Sequence, residues 1–340
     1  MLRIGFIGAG KVGTALAVLL DRKGYTVTAV YDHTPAYAKR LNALVLTCEV
    51  MDNSQEVADA ANLVFITTPD GAIQSVASQT KWIPGKSVVH CSGADSTAIL
   101  DKAKEEGAAV GAFHPCQTFA GISQAIENIP GTTFSIEAEE PLFSILQDIA
   151  AALGGDWIQL KAEDKPAYHA AAVVACNYMV TLVKMATDLW KTFDIPADQA
   201  TKALLPLMRG TLHNIETLGI PQALTGPIAR GDIGTIQKHL DEISSKTPEL
   251  LPAYVELGLQ TIPIVLDKGT IDNVQAQKIE LLLSTHNNNL QGANHENDAK
   301  EQNSSGNGDR RRHQLHRQHH HRQQVDEGSR HHRVRTGTRS

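Results

Sequence analysis

The segment Gly8-Ala-Gly10-Lys-Val-Gly13 follows the apolar run Leu2-Arg-Ile-Gly-Phe-Ile7 and precedes the amphipathic stretch Thr14-Ala-Leu-Ala-Val-Leu-Leu20. A buried strand, a glycine-rich turn and a helix in that order predict the opening of a βαβ nucleotide-binding unit. The first glycine allows the tight turn, the second lets a diphosphate approach the backbone, and the third lets helix and strand pack closely. Unpaired N–H groups at the helix start then face the negative charge, aided by the helix dipole. A second strand, Thr26-Val-Thr-Ala-Val-Tyr31, ends at Asp32, where an acidic side chain accepts hydrogen bonds from an adenosine ribose. His33, Thr34, Lys39 and Arg40 follow closely, and a cation there suits a 2′-phosphate, so the sequence leaves both NAD and NADP open. The expected dinucleotide contacts in this region are Gly8, Ala9, Gly10, Lys11, Val12, Gly13, Asp32 and His33.

Strand-like runs continue near 44–50 and at 63–67, 87–91 and 109–113, separated by helical patterns. Phe134-Ser-Ile-Glu137 and Trp157-Ile-Gln-Leu160 read as a further strand pair around a helix at about 140–153, which Gly154-Gly155 ends. This alternation predicts an α/β domain over 1–160, a doubly wound parallel sheet with helices on both faces. After Lys161 the apolar residues recur at three- and four-residue spacing, so helices are expected at 164–193, 197–217, 228–244, 248–268 and 272–284. They make an all-α second domain over 161–286, with Pro196, Pro221 and Pro227 at entries or breaks. From Asn287 to Ser340 the chain turns Asn-rich, then Gly/Ser-rich, then crowded with Arg, His and Gln, which predicts a disordered low-complexity tail.

A chain of 340 residues is long enough for two cores. Its formal charge of −6 argues against nucleic-acid or membrane binding by the folded body. Cys48, Cys91, Cys116 and Cys176 are scattered without zinc-site spacing, so no metal site and four reduced thiols are expected. The chain enters its first strand without a basic leader, and no apolar run is read as approaching the roughly 18 residues of a membrane span. The expected location is the cytoplasm.

Ligands of open α/β sheets bind at the carboxyl ends of the strands. Thr67-Thr68-Pro69-Asp70 and Cys91-Ser92-Gly93-Ala94 sit there, so Thr68, Pro69, Asp70, Ser92 and Gly93 are expected beside the ribose and nicotinamide. The alternative is a pair of ordinary strand-to-helix turns with Asp70 as a cap. His114-Pro-Cys-Gln-Thr-Phe119 follows the sixth strand, and a histidine there suits polarising a substrate oxygen or moving a proton, or else a structural hydrogen bond beneath the loop. In the stretch from Ala162 to Met179, Lys165 and His169 lie one turn apart, and His169, Val173 and Asn177 form a stripe on an alanine-rich helix. Lys165 or His169 is the expected proton donor and Asn177 the group that orients a carbonyl; a satisfied structural network is the other reading. Arg209 and Arg230, beside helix ends, suit a substrate carboxylate, or else surface or dimer-interface ion pairs.

Gly5-Phe-Ile-Gly-Ala-Gly-Lys-Val-Gly13, His114-Pro-Cys-Gln-Thr-Phe119, the run from Glu163 to Tyr178 and Leu224-Thr-Gly-Pro-Ile-Ala-Arg-Gly-Asp232 together resemble one group. These are Rossmann-like proteins whose helical C-terminal domain was long catalogued as a domain of unknown function; the resemblance runs from Met1 to about residue 284. The group is similar in architecture to ketopantoate reductases, pyrroline-5-carboxylate reductases, prephenate dehydrogenases and deazaflavin-dependent NADP reductases. The resemblance implies a nicotinamide dinucleotide, NADP ahead of NAD, a small-molecule substrate and a homodimer through the helical domain. Ketopantoate reductases use a lysine and an asparagine of the helical domain, which implies those roles for Lys165 and Asn177, at a longer spacing than the usual one-turn Lys-x-x-x-Asn. His114 is similar to the histidine by which prephenate dehydrogenases contact the substrate hydroxyl. The specific expectation is reduction of 2-dehydropantoate (ketopantoate), with an imine reductase, a prephenate-dehydrogenase-like enzyme or a non-catalytic NAD(P)-binding regulator as alternatives.

Overall fold

A computed structural model describes residues 2–286. The expected tail over 287–340 lies outside the described residues. By internal contacts the chain divides into two units, Met1–Thr181 and Leu182–Ser340, so the boundary falls inside a helix about twenty residues beyond the composition change at Lys161.

The first unit is built on one eight-stranded sheet, β1 (Arg3–Ile7), β2 (Thr26–Tyr31), β3 (Glu49–Val50), β4 (Leu63–Ile66), β5 (Ser87–His90), β6 (Ala109–Pro115), β7 (Thr133–Ala138) and β8 (Asp156–Gln159). Their spatial order is β3-β2-β1-β4-β5-β6-β7-β8, which reverses between β1 and β4 and opens a ligand crevice there. The sheet departs from the all-parallel expectation at one place: β7 runs antiparallel to β6, with His114 opposite Ser135. The connection between these strands holds only the short helix Ile122–Asn128, which returns the chain without a full crossover. The third strand is reduced to two residues because the preceding helix runs on to Leu44.

Strand residues alternate between two cores. Ile4, Phe6, Leu63 and Phe65 face α1 (Lys11–Arg22), α2 (Pro35–Leu44), α6 (Ile122–Asn128) and α7 (Leu142–Ala152). Ile7, Val64 and Ile66 face α3 (Ser54–Ala60), α4 (Asp70–Gln79) and α5 (Asp101–Glu105). Burial on both faces explains the near-continuous apolar strands. Phe6, Phe65, Phe113 and Phe134 form a ladder along one face, with successive ring centroids 5.4, 6.0 and 4.4 Å apart. Such contacts tie β1 to β7 across the strands between them.

The unit ends in the first part of α8 (Lys165–Lys191), which starts after the 3-10 turn Ala162–Asp164. Pro166 suits the first helical turn, and Glu163 and Asp164 complement the helix dipole. The second unit carries the rest of α8, α9 (Ala197–Leu218), α10 (Ile220–Ala223), α11 (Ile233–Lys246), α12 (Leu251–Lys268) and a helix over 273–286. Its core joins Ile236, Leu240 and Ile243 to Val255, Ile262 and Val265 and to Ile279 and Leu283. Expected and observed helices agree closely except near 228, where Ile228–Arg230 is a separate 3-10 turn. Asp232 then caps α11 by accepting from the Thr235 amide at 3.0 Å, so the helix begins later than the periodicity predicts.

The expectation that no apolar stretch reaches membrane-span length is corrected. Ala162–Lys191 and Pro248–Lys268 each contain an 18-residue window long and apolar enough to cross a membrane by length and composition. Isolated polar residues such as His169 and Asn177 interrupt the first of them without lowering its mean hydropathy enough to fail.

Candidate functional site: a dinucleotide turn and a histidine-lined cavity

The glycine turn lies at the β1/β4 switch point. Gly8 has φ +102°, a left-handed backbone that a side chain strains, and its amide donates to Tyr31 O at 2.8 Å. Thr67 Oγ1 donates to Gly8 O at 2.7 Å, while Gly13 packs so tightly on Thr67 and Gly8 that a Cβ there would collide with both. Gly10 is different, because nothing stands within 4 Å of where its Cβ would be. It is also the N-cap of α1 and supplies no capping side chain, so the amides of Lys11, Val12 and Gly13 open the helix toward that space. A diphosphate fits this cradle. Nearby, the buried Thr68 Oγ1 has no hydrogen-bond partner, an orphan on the ligand side of the crevice.

Asp32 is 8% exposed and braces the turn: Oδ2 accepts from Ala9 N at 2.7 Å and Oδ1 from Thr34 N at 2.8 Å. His33 beside it is well exposed. Arg40 donates to Ala9 O at 2.9 Å and lies 4.8 Å over the Tyr37 ring, so a fixed guanidinium stands at the ribose end of the cradle. Lys39 is exposed. The loops after β4 and β5 are knitted together. Pro69 is the N-cap of α4 and Asp70 its first residue, and Ser92 Oγ lies 3.0 Å from Asp70 Oδ2 and 2.9 Å from Asp95 Oδ2. Ser92 therefore organises the loop and is 2% exposed. His90 holds the same loop from below, accepting from Ser92 N at Nδ1 (3.1 Å) with Nε2 3.2 Å from Ser96 O. Burial, then the Lys165 ammonium, pushes its pKa down to about 4.

A cavity of about 270 Å³ lies at the carboxyl end of β6, lined by His114, Cys116, Gln117 and Thr118 from that strand and loop. His169, Val173 and Asn177, the stripe seen in the sequence, line its helical wall with Ala172, Ala175 and Cys176. His114 is the last but one residue of β6 rather than part of a turn, which fixes its backbone in the sheet. Its Nδ1 is 2.8 Å from Tyr168 Oη, and its ring centroid is 6.2 Å from that of His169. Burial first, then Lys165 and His169, lowers its pKa to about 4, so it is neutral at physiological pH.

Lys165 does not line this cavity. It is 1% exposed, with Nζ 3.4 Å from Ser92 O and 4.0 Å from Glu137 Oε2. Burial lowers its pKa, and Glu137, whose carboxylate also takes the Thr97 amide and hydroxyl, works in the opposite direction. Gly93 bridges the cofactor loop and the cavity, because a Cβ there would meet His169 Cδ2 at 2.8 Å and His114 Nε2 at 2.9 Å. Within the first unit the structure thus brings His114, His169, Asn177 and Gly93 together and sets Lys165 behind them. Arg209 and Arg230 are exposed residues of the second unit. Among the described residues no group of three or more His, Cys, Asp or Glu is arranged to hold a metal ion.

Sequence reasoning passed over Tyr168, Gln117 and His90. Tyr168 carried a signal, since positions 165, 168 and 169 share one helix face. His90 carried none, looking like any polar residue at a strand end.

Residues 1–115 match the Rossmann-like domain, and residues 132–261 match the domain of unknown function DUF2520. The second match begins with β7 and β8, which complete the sheet of the first unit. A Bacteroides fragilis protein assigned as an NADP oxidoreductase is 27% identical, with a TM-score of 0.61 over 75% of this chain and 96% of its own. A reductive aminase from Aspergillus terreus, solved with NADPH and ethyl-5-oxohexanoate, is 14% identical and shares the fold, with a TM-score of 0.54 over 84% of this chain and 93% of its own. The glycerol-3-phosphate dehydrogenase [NAD(P)+] of Chlorobium limicola is 32% identical over 95 residues, and the match spans 28% of that enzyme and 24% of this chain. The chain thus carries a match to the Rossmann-like domain followed by one to DUF2520, and it shares its fold with solved structures described as NAD(P)-dependent oxidoreductases.

Proposed function

We propose that this protein is an NAD(P)-dependent reductase acting on a small oxo compound that also bears a carboxylate, with 2-dehydropantoate the first specific candidate. The observation that carries the reading is the cavity lined by His114, Gln117, Thr118, His169 and Asn177, on the same sheet edge as the glycine cradle. Bound there, the nicotinamide would supply or accept the hydride. The chain's own residues hold the dinucleotide at Gly8–Gly13, close the crevice with Thr67–Asp70 and Ser92–Gly93, and offer hydrogen-bond donors to a carbonyl oxygen. His169 is the residue proposed to exchange a proton with the substrate, with Asn177 orienting the carbonyl. Arg209 and Arg230 are the proposed carboxylate ligands.

A second reading, reduction of a C=N bond, is favoured by one feature: none of the cavity-lining residues is Lys or Arg. Such a lining places no fixed Lys or Arg cation against an imine nitrogen. Following cofactor oxidation with NADPH and NADH against 2-oxo acids, cyclic imines and prephenate separates the readings. Tight cofactor binding with no turnover on any of them would leave the protein a nucleotide-binding regulator and overturn the proposal.

The proposed partner is a second copy of the chain. Leu205, Leu207, Leu212 and Leu218 of α9, all in the second unit, are exposed, a row of apolar side chains that isolated monomers seldom leave to water. A closed two-fold contact would cover it. A monomeric mass by light scattering would reject the dimer. The proposed compartment is the cytoplasm, in keeping with the four free cysteines.

A further inference from the structure

We propose that Tyr168 is a positioning residue that sets the tautomer of His114, donating its hydroxyl proton to Nδ1 and leaving the imidazole proton on Nε2. The catalytic consequence rests on the reductase reading, whereas the tautomer itself does not.

Tyr168 Oη is 2.8 Å from His114 Nδ1, and the two rings stand at 88° with centroids 5.6 Å apart. At that distance one of the two atoms must donate. Relative acidity decides which: the phenol O–H is the stronger donor and the unprotonated imidazole nitrogen the stronger acceptor, so Tyr168 gives the proton and Nδ1 receives it. Ser135, opposite His114 on β7, is 1% exposed and its hydroxyl has no hydrogen-bond partner among the described residues, so it does not compete for Nδ1. The phenol keeps that proton, since burial raises its pKa well above the usual tyrosine value.

The imidazole, for its part, stays neutral. The groups facing it are Tyr168, Lys165, His169, Cys116 and His90, and both Lys165 and His169 disfavour a positive charge on it. A neutral ring that accepts at Nδ1 carries N–H at Nε2. Nε2 is the atom beside Gly93, and among the described residues it has no hydrogen-bond partner. A fixed N–H donor at that point suits a group with a free lone pair, a carbonyl oxygen or an unprotonated imine nitrogen. It opposes a protonated iminium. Had Nδ1 carried the proton, the bare Nε2 would make the opposite selection.

The test uses the full chain labelled with 15N, reading histidine ring nitrogens by long-range 1H–15N correlation, with His114 assigned by comparison with His114→Gln. At neutral pH the wild-type His114 is expected to show a protonated Nε2 and an unprotonated Nδ1. In Tyr168→Phe the two tautomers should mix, turnover of the oxo substrate should fall about tenfold, and the KM for cofactor should stay unchanged. A proton on Nδ1 in the wild type, or an unaltered tautomer in Tyr168→Phe, overturns the proposal. The wild-type spectrum alone decides it should the variant fold poorly. If the tautomer is as stated while no oxo compound is turned over, the reductase reading falls and the role of Tyr168 in setting the ring stands.

Discussion

Thr67 and Gly13 meet so closely that the Thr67 hydroxyl, donating to Gly8 O at 2.7 Å, takes the space a side chain on Gly13 would need. The third glycine of the turn is therefore a packing residue, whereas the second, Gly10, has open space before it.

These two glycines should fail differently. Gly13→Ala forces α1 off β1 and should cost about 1–3 kcal/mol or more of stability, read by urea unfolding. Gly10→Ala should leave the unfolding midpoint unchanged while weakening dinucleotide binding about tenfold, read by titration of cofactor fluorescence. Equal losses of stability in both variants would refute the assignment.

Arg40 is the only guanidinium the structure fixes beside the ribose end of the cradle among the described residues, held by Ala9 O and the Tyr37 ring. If the natural cofactor carries a 2′-phosphate, Arg40→Ala should raise the KM for NADPH about tenfold and leave that for NADH nearly unchanged. A parallel change in both would assign Arg40 to the turn alone.

Acid should destabilise the fold through its buried histidines. His90 and His114 both have folded pKa values near 4, below the unfolded value of about 6.5. As pH falls the unfolded chain takes up the proton first, so this stability is complete above about pH 6.5 and is lost as pH falls toward 4. Each group accounts for on the order of 3 kcal/mol. Urea melts at neutral and acid pH should show the loss, and His114→Gln should make the slope shallower.

Lys165 acts on the site from behind it. Its ammonium is one cause of the low His114 pKa, so Lys165→Met should raise that pKa, measurable by the same histidine resonances. Turnover should stay within about tenfold of wild type, because a lost general acid costs roughly a hundredfold or more. A larger loss, with the fold intact, would return Lys165 to the chemistry.

What the chain encodes locally was legible in it. Gly8 to Gly13, the strand ending at Asp32, and the His169-Val173-Asn177 stripe each depend on neighbours within one or two turns or strands, and the structure shows each in the form the pattern implies. Tertiary contact decided the rest. The pairing of His114 with Tyr168 spans 54 residues, the burial of Lys165 against Ser92 spans 73, and the antiparallel β7 follows from a short return that no periodicity announces. Asp32 has its carboxylate committed to Ala9 and Thr34, and Ser92 its hydroxyl to two aspartates, because buried polar groups take the partners that packing brings them. Residue type and spacing can nominate such groups, but which of them stays free for a ligand is settled only when distant segments have met.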